Sequence, residues 1–545
     1  MGKLSGVSPN FLAALLLALF VLQGIGLIRA TSPTTDEVPF HMVNGYAYLI
    51  SHDYRMSPAN PALIREWMAL PWLWIKPKIN FDQASWRQAE SVPFGVDTFY
   101  RDNRGRAGLL LFSSRFMILI LGALLGALVF RWSSLLYGAW GGLLSLFFYV
   151  SCPNFLSHSA IATTDVGVAL FAVLASFYFW KYLESASFRH GLLLAAALGL
   201  AFAAKHNALF LGPLFLCVLF CRKGGKLFFI SALLFSTVGF LIIWASYFFE
   251  WKPILAGGVP RVEEKLGYLP PAFAFLKKAA LQMPVPIPSY ILGLAGVLRS
   301  HRAPYSHFAF GEWTTRTQWY YYFFVFLVKM ALPFLAALFL RAVFWSKKLT
   351  PSRNELWAIL APGVALFALT VFDTTAVGIR YLFLVIPLLY VWVGGLAGLC
   401  QESKVWKGLV GLLMALQLLT TLPYFPYYLS YFNPLAGGPN GGYRYVRGSD
   451  VDWGQGLVAL KKYLDERGIG EVALEYFGSA DPSFYGIRYR RLSPEEKKQP
   501  GRGVYAVSRF RLEKIEWTRR YKPTDVVAYS IHIYDFRGAD EHRVD

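Results

Sequence analysis

The apolar run FLAALLLALFVLQGIGLI (residues 11–28) is followed almost immediately by Thr34-Thr35-Asp36-Glu37-Val38-Pro39-Phe40-His41. The run is long enough to cross a membrane, so Asp36 and Glu37 lie where the span emerges into water. A carboxylate at that boundary tends to be paired, to bind an ion or to take up a proton, which indicates a functional site. The alternative is that Asp36 or Glu37 caps a helix over residues 37–50, a role that Asp fills well.

The composition indicates a membrane protein. Of the 545 residues, 55% are hydrophobic and only 16% are charged, which is too apolar for a soluble domain of this length. The net charge is +20, but the basic residues are scattered between apolar runs. Membrane lipids with anionic or phosphorylated headgroups are therefore the expected partners, and nucleic acid is not expected. The four cysteines have no metal-ligand spacing, which argues against a zinc site.

Apolar runs along the chain predict about eleven membrane spans, and hence a polytopic α-helical membrane protein. The runs cover residues 11–29, 112–130, 134–151, 161–180, 190–203, 207–221, 227–248, 321–342, 355–371, 378–398 and 406–424. If the spans alternate in direction, the basic residues of the short connectors fall on one side, which the positive-inside rule assigns to the cytoplasm. The N-terminus is then cytoplasmic, and the long segments lie outside an inner (plasma) membrane. Counting residues 190–221 as one span would invert the orientation of everything after them.

The predicted domains meet near residue 443. Residues 1–442 form the transmembrane domain, with outer loops over residues 30–111 and 249–320. Later in the chain, residues 456–467 fit an amphipathic helix, and the runs 471–477, 503–508 and 525–534 fit strands. We therefore predict a small extracytoplasmic α/β domain over residues 443–545.

Ionisable residues from separate loops collect on the outer side of this topology. They are Asp36, Glu37, Asp165, Lys205, His206, Asp373 and Arg380, the last followed by Tyr381. Each has an ordinary alternative: Asp165 could cap a helix, the segment at Lys205 could be the tip of a reentrant hairpin, and Arg380 could extend to the headgroups. Their convergence on one face indicates a site in which a carboxylate acts as general base and cations stabilise a departing phosphate.

Three further residues are weaker candidates for a substrate groove. His307 and Glu312 lie in the second outer loop, and Lys329 interrupts an apolar run deep enough to face the interior of the helix bundle. Lys329 could bind an anionic headgroup or pair with an acid.

Short motifs follow one another along the chain: Asp36-Glu37, Thr163-Thr164-Asp165, Lys205-His206-Asn207-Ala208-Leu209, Phe310-Gly311-Glu312, Gly378-Ile379-Arg380-Tyr381 and Asp450-Val451-Asp452-Trp453-Gly454-Gln455. In this order they resemble the membrane glycosyltransferases of the GT-C superfamily, specifically glycosyltransferase family 39, the protein mannosyltransferase-like group. The last motif looks like that of a bacterial subgroup with a C-terminal soluble extension.

The resemblance implies the inverting transfer of a hexosyl (mannosyl) or pentosyl group from a polyprenyl-phosphate-linked donor on the extracytoplasmic face. It implies that Asp36 is the catalytic base, with Glu37 beside it, and that Asp165 is the second acid of the site. The residues implied to contact the donor phosphate are Lys205, His206, Arg380 and Tyr381.

The acceptor stays open between protein, lipid and glycan, because no MIR-type domain of the eukaryotic protein mannosyltransferases is recognisable in residues 443–545. No cofactor is certain, although Asp36 and Asp165 could share a divalent cation. The alternative function is a lipid-linked sugar flippase or transporter that forms no glycosidic bond. Such a protein would carry its ionisable groups near the membrane midplane.

Overall fold

The computed structural model describes residues 7–254, 281–300, 306–315, 318–344, 356–360, 363, 364, 367 and 376–538. This part of the chain is mainly helical and carries a small mixed sheet near its C-terminal end, which confirms the predicted fold class. Asp373 and most of the predicted span over residues 355–371 lie outside the described residues.

Most described residues lie in helices. Those of the first half are α1 (Pro9–Ala30), α2 (Val43–Ser51), α3 (Ala62–Ala69), α4 (Trp72–Ile75), α5 (Ala84–Arg87), α6 (Ser91–Val96), α7 (Ala107–Val150), α8 (Pro153–Ser159), α9 (Asp165–Ser185), α10 (Phe188–Ala204), α11 (Leu211–Lys223) and α12 (Gly225–Ala245). Those of the second half are α13 (Pro288–Ser300), α14 (Tyr321–Lys329), α15 (Leu332–Val343), α16 (Ile386–Val393), α17 (Leu396–Glu402), α18 (Lys404–Thr421), α19 (Gly438–Gly442), α20 (Leu457–Glu466) and α21 (Pro494–Lys498).

Several helices are long and apolar enough to cross a membrane. Within the described ranges there are five of them, α1, α7, α9, α12 and α18, or six if α14 and α15 are counted together as one bent span. The chain is therefore a multi-pass membrane protein. The number of about eleven spans stays a prediction.

Helix α7 folds back on itself at Gly138. The backbone of Gly138 has φ +77°, which is outside the helical region and favours glycine. The Tyr149 hydroxyl donates to the Gly122 carbonyl at 2.6 Å, although a straight helix would separate these residues by about 40 Å. Two antiparallel helices therefore replace one, and the turn between them at Gly138 lies inside the run predicted over residues 134–151 and not between the two predicted runs.

The predicted span over residues 321–342 is broken. Helices α14 and α15 meet at an angle of 112°, and Pro333 in the first turn of α15 cannot donate a backbone hydrogen bond into a continuing helix. The carbonyls at the end of α14 find other donors. The Asn433 side chain donates to the carbonyls of Leu327 and Met330, and the Asn154 side chain donates to that of Lys329. The free carbonyl groups at the break thus accept hydrogen bonds from side chains of two distant segments.

The strands form two hairpins and one sheet. The hairpins are β1 (Trp251–Pro253) with β2 (Pro284–Pro286), and β3 (His307–Ala309) with β4 (Glu312–Thr314). The sheet contains β5 (Val472–Glu475), β6 (Tyr489–Arg490), β7 (Val504–Ser508), β8 (Asp525–Val527) and β9 (Ile531–Asp535) in the order β6-β5-β7-β9-β8. The predicted strand over residues 525–534 is in fact the antiparallel pair β8 and β9, because Ala528 and Tyr529 turn the chain with positive φ. The predicted amphipathic helix is α20.

Candidate active site

Asp36 lies on a short loop after α1. The loop leads into a π-helical segment over Glu37–Met42, and the Asp36 side chain makes no capping hydrogen bond to it. Its carboxylate points instead towards Arg380, whose Nη1 lies 3.7 Å from Asp36 Oδ2, and 28% of the Asp36 side chain stays exposed. Burial raises the pKa of Asp36, and the nearby Arg380 guanidinium partly opposes that effect. Asp36 is therefore an accessible carboxylate with an increased affinity for a proton.

Asp165 joins two cations at the same end of the bundle. It is the first residue of α9, and its carboxylate is almost fully buried. Lys205 Nζ lies 2.6 Å from Asp165 Oδ1, because the backbone becomes extended at Lys205 directly after α10. Arg380 Nη1 lies 3.8 Å from Asp165 Oδ2. The structure thus brings Asp36, Asp165, Lys205 and Arg380 together from four separate segments.

Glu37 lies in a different environment from Asp36. Both Glu37 and Arg115 are fully buried, and the carboxylate receives two hydrogen bonds from the guanidinium, at 2.7 and 2.8 Å. It also accepts the backbone N–H groups of Thr34 at 2.6 Å and Ala162 at 2.7 Å. Each carboxylate oxygen thus accepts two hydrogen bonds, and Glu37 joins the loops that carry Asp36 and Asp165.

Tyr381 lies against the ammonium group of Lys205. Lys205 Nζ is 4.8 Å from the centre of the Tyr381 ring, and Tyr322 stacks on the same tyrosine at 6.2 Å. The aromatic face is an electrostatically favourable neighbour for the cation. Tyr381 is therefore close to the cluster.

His206 does not join this cluster. Its ring packs edge-on against Tyr290 at 4.6 Å, and a Cβ at Gly293 would lie 3.0 Å from His206 Nε2. Neither ring nitrogen has a hydrogen-bond partner in the described part of the chain. The side chain lies at the contact with α13.

The three groove candidates lie in separate places. His307 is buried in β3 with its ring 5.8 Å from that of Tyr321, and Glu312 is exposed in β4. Lys329 is fully buried, and its ammonium group donates to the carbonyls of Leu429 at 2.9 Å and Asp450 at 2.8 Å. Lys329 therefore connects segments of the protein and pairs with no acid side chain in the described ranges.

Trp453 is a member of the site that the sequence reasoning missed. Arg380 Cζ lies 4.4 Å from the centre of the Trp453 ring, so the indole covers one face of the guanidinium. The motif containing Trp453 falls in the predicted C-terminal domain, because charged residues are dense in that part of the sequence. The sequence carries one signal for this position, since Trp453 directly follows Asp452 and directly precedes Gly454.

Asp450 and His41 add two further buried polar groups. Asp450 Oδ1 accepts the backbone N–H of Ile379 at 3.1 Å, and burial raises the pKa of Asp450. Burial and the nearby Arg65 lower the pKa of His41 to about 3, so its imidazole is neutral at physiological pH.

Several buried polar atoms near the cluster lack a hydrogen-bond partner, as do others elsewhere in the described ranges. Those without a hydrogen-bond partner among the described residues include Thr34 Oγ1, His41 Nδ1, Thr163 Oγ1, Arg380 Nε and Asp450 Oδ2. Folded proteins leave few buried polar atoms unsatisfied. The atoms near the cluster can therefore accept or donate hydrogen bonds to a polar ligand or to water.

A shared divalent cation would have to compete with Arg380, which lies within 4 Å of both Asp36 and Asp165. In the described ranges, no group of three or more His, Cys, Asp or Glu side chains is arranged to hold a metal ion.

Residues 107–249 match the family model described as dolichyl-phosphate-mannose-protein mannosyltransferase. This confirms the resemblance seen in the motifs. The mannosyltransferase-like region covers about a quarter of the chain and includes Arg115, Asp165, Lys205 and His206. No curated protein matches the chain.

Solved structures of low sequence identity are also similar. The oligosaccharyltransferase AglB of Archaeoglobus fulgidus, in complex with an inhibitory peptide and a dolichol-phosphate, is 12% identical, with 92% of this chain and 70% of that chain covered and a TM-score of 0.45. The Archaeoglobus fulgidus oligosaccharyltransferase tethered with an acceptor peptide is 12% identical over 75% of this chain, with a TM-score of 0.42. This chain covers 54% of its length. ArnT from Cupriavidus metallidurans, bound to undecaprenyl phosphate, is 11% identical over 96% of this chain and 97% of that chain, with a TM-score of 0.32.

Proposed function

We propose that the protein is a glycosyltransferase that moves a sugar from a polyprenyl-phosphate-linked donor to an extracytoplasmic acceptor. The observation that carries the proposal is that Arg380 has a hydrogen-bond donor without a partner among the described residues. Its side chain is 15% exposed and lies near two carboxylates, yet its Nε has no hydrogen-bond partner among the described residues. A buried guanidinium with unused N–H groups is favourable when a ligand supplies an anionic oxygen.

The charges of the cluster fit a phosphate as the leaving group. Lys205 uses one of its three N–H groups on Asp165, and Arg380 keeps donors free. The donor phosphodiester carries one negative charge, and further charge develops on the phosphate as the bond to the sugar breaks. Two cations held in place by a buried carboxylate stabilise that charge without rearrangement.

Asp36 is the proposed general base. The acceptor hydroxyl attacks the anomeric carbon, its proton passes to Asp36, and the bonding electrons of the sugar–phosphate bond leave with polyprenyl phosphate. Asp36 suits this step better than Asp165, because 28% of its side chain is exposed against 2% for Asp165, which is bonded to Lys205. A single displacement of this kind inverts the configuration at the anomeric carbon.

The donor class follows the description of the matched family, whose sugar is carried on dolichyl phosphate. We propose a hexosyl or pentosyl group and leave the acceptor open between protein, lipid and glycan. We also propose that the site and the C-terminal domain face the extracytoplasmic side of the inner membrane.

The test is a transfer assay on the full chain in proteoliposomes. The donors are polyprenyl phosphates carrying labelled mannose, another hexose or a pentose, and the acceptors are envelope lipids, glycans and Ser/Thr peptides. Wild type is expected to transfer one of these sugars, and Asp36→Asn is expected to lose transfer while it still binds polyprenyl phosphate. Asp82→Asn, an exposed carboxylate in the same outer loop, is the matched control. Full transfer by Asp36→Asn would exclude it as the base, and movement of the donor across the bilayer without a new glycosidic bond would favour a flippase.

A further inference from the structure

Residues 449–455 run between the loop that carries Asp36 and the loop that carries Arg380, and we name this segment the strap. By sequence the strap belongs to the predicted C-terminal domain. In the structure its side chains and its backbone contact both loops of the candidate active site.

The strap holds the loop between α1 and Asp36. The N–H of Thr35 donates to the carbonyl of Trp453 at 2.8 Å, and the N–H of Ser32 donates to the carbonyl of Gln455 at 3.1 Å. The Ser32 hydroxyl donates to the carbonyl of Gly454 at 2.9 Å. Because Asp36 directly follows Thr35, the strap fixes the backbone from which the proposed base projects.

The strap also holds the loop that carries Arg380. Asp450 Oδ1 accepts the N–H of Ile379 at 3.1 Å, and the Ser449 hydroxyl donates to the carbonyl of Val377 at 2.8 Å. The loop is therefore bonded to the strap on the residue directly before Arg380.

Trp453 contacts the guanidinium itself. The indole covers one face of the Arg380 guanidinium, while Nη1 at the edge of the guanidinium lies 3.7 Å from Asp36 Oδ2 and 3.8 Å from Asp165 Oδ2. A flat aromatic surface restricts the plane of a guanidinium and leaves its in-plane donors available for an anion.

The strap has anchors of its own. Lys329 Nζ donates to the carbonyl of Asp450 at 2.8 Å, and the Ser430 hydroxyl donates to the carbonyl of Val451 at 2.6 Å. The Gln455 side chain donates to the same Val451 carbonyl at 2.9 Å. Because the strap is held in this way and is bonded to both loops, a displacement of one loop is expected to displace the other.

We propose that the strap sets the separation between Asp36 and Arg380, and that Trp453 and Asp450 are positioning residues of the transfer reaction. The inference rests on the proposed function where it concerns phosphate binding. It makes the C-terminal part of the chain a component of the active site.

The first experiment is a double-mutant cycle on the affinity of the purified full chain for undecaprenyl phosphate without a sugar. Trp453→Leu is expected to weaken binding about threefold to thirtyfold in the wild-type background, and much less in an Arg380→Gln background. Trp453→Phe keeps an aromatic face and is expected to restore most of the affinity. Additive effects of Trp453→Leu and Arg380→Gln would overturn the positioning role. If wild type binds no undecaprenyl phosphate, the proposed donor class fails instead.

The second experiment needs no substrate. Hydrogen–deuterium exchange is measured on the loops over residues 31–37 and 377–381 in wild type, Asp450→Ala and Ser32→Ala. Each variant removes side-chain bonds to one loop only, yet a shared strap predicts faster exchange in both loops. Faster exchange confined to the loop that lost its bonds would overturn the inference.

Trp517→Phe is the matched control for both experiments. Trp517 is a fully buried tryptophan in the C-terminal sheet domain and donates through Nε1 to the carbonyl of Glu496. It is expected to lower thermal stability without changing the undecaprenyl phosphate affinity or the exchange of either loop. A loss equal to that of Trp453→Leu would show that the strap variants act through general destabilisation, and would overturn the inference.

Discussion

The Nη1 atom of Arg380 lies 3.7 Å from a carboxylate oxygen of Asp36, so one guanidinium group is close both to the proposed base and to the place proposed for the leaving phosphate. The distance is longer than a direct hydrogen bond. It leaves Asp36 free to take a proton while the positive charge stays near, and the pH dependence of the reaction follows from this arrangement.

The transfer rate is expected to fall on acidification through the pKa of Asp36. A base must be deprotonated to act, and burial raises the pKa of Asp36 above the usual value for Asp of about 3.9. The acid limb of the pH–rate profile should therefore lie above that value. Measurement of kcat/KM from pH 4 to 8 tests this, with Asp36→Glu expected to shift the limb and Asp82→Asn, the exposed control carboxylate, expected to keep it. A profile without an acid limb would contradict the role of Asp36.

Lys205→Gln is expected to weaken the binding of polyprenyl phosphate about tenfold to a hundredfold, because it removes a charge-assisted donor beside the proposed phosphate position. Titration calorimetry in detergent measures this affinity. Lys223→Gln, an exposed lysine at the end of α11, serves as the control and should bind like wild type. Unchanged affinity in Lys205→Gln would remove Lys205 from the phosphate site.

Glu37→Gln is expected to lower the free energy of unfolding by about 3–5 kcal/mol, because it leaves the buried Arg115 guanidinium without a counter-charge. Thermal unfolding in detergent measures the loss, and the exposed Glu90 gives a neutral control as Glu90→Gln. Normal stability together with complete loss of transfer would instead make Glu37 a reacting carboxylate.

Gly378→Ala is expected to disturb the loop that carries Arg380. Gly378 has φ +92°, and a Cβ there would lie 1.9 Å from Asp450 Oδ2. With ψ −164°, this backbone conformation is essentially restricted to glycine and costs another residue about 1–3 kcal/mol, and the clash adds to that cost. Polyprenyl phosphate affinity should fall at least about tenfold, with partial recovery in Gly378→Ala/Asp450→Ala. Gly105→Ala is the control, because nothing lies within 4 Å of a Cβ added at Gly105. An equal polyprenyl phosphate affinity in the two variants would argue against a strained loop.

Hydropathy and residue order were sufficient to anticipate much of the molecule. Long apolar runs correspond to α1, α9, α12 and α18, since a membrane-spanning helix needs a continuous apolar segment whatever it packs against. Asp36, Asp165, Lys205 and Arg380 meet at one end of the bundle because alternating helices return their ends to the same side. Their chemical roles remain proposals.

Other features depend on contacts between distant residues, which no local pattern carries. Arg115 lies within an apolar run, and its partner Glu37 is 78 positions away. The strap falls in the predicted C-terminal domain because dense charge is typical of segments exposed to water, whereas Asp450 and Trp453 are buried. The break before α15 did have a local signal, since Pro333 follows the end of α14 by four residues.

The break between α14 and α15 also has a consequence for the order in which the protein is built. Asn433, which satisfies two carbonyls at the end of α14, is synthesised about a hundred residues after that helix. The strap, which receives Lys329 from the same helix, follows later still. The end of α14 is therefore satisfied only after a segment about a hundred residues further along has been synthesised, and the contacts of the strap with the loops of Asp36 and Arg380 form later than both loops.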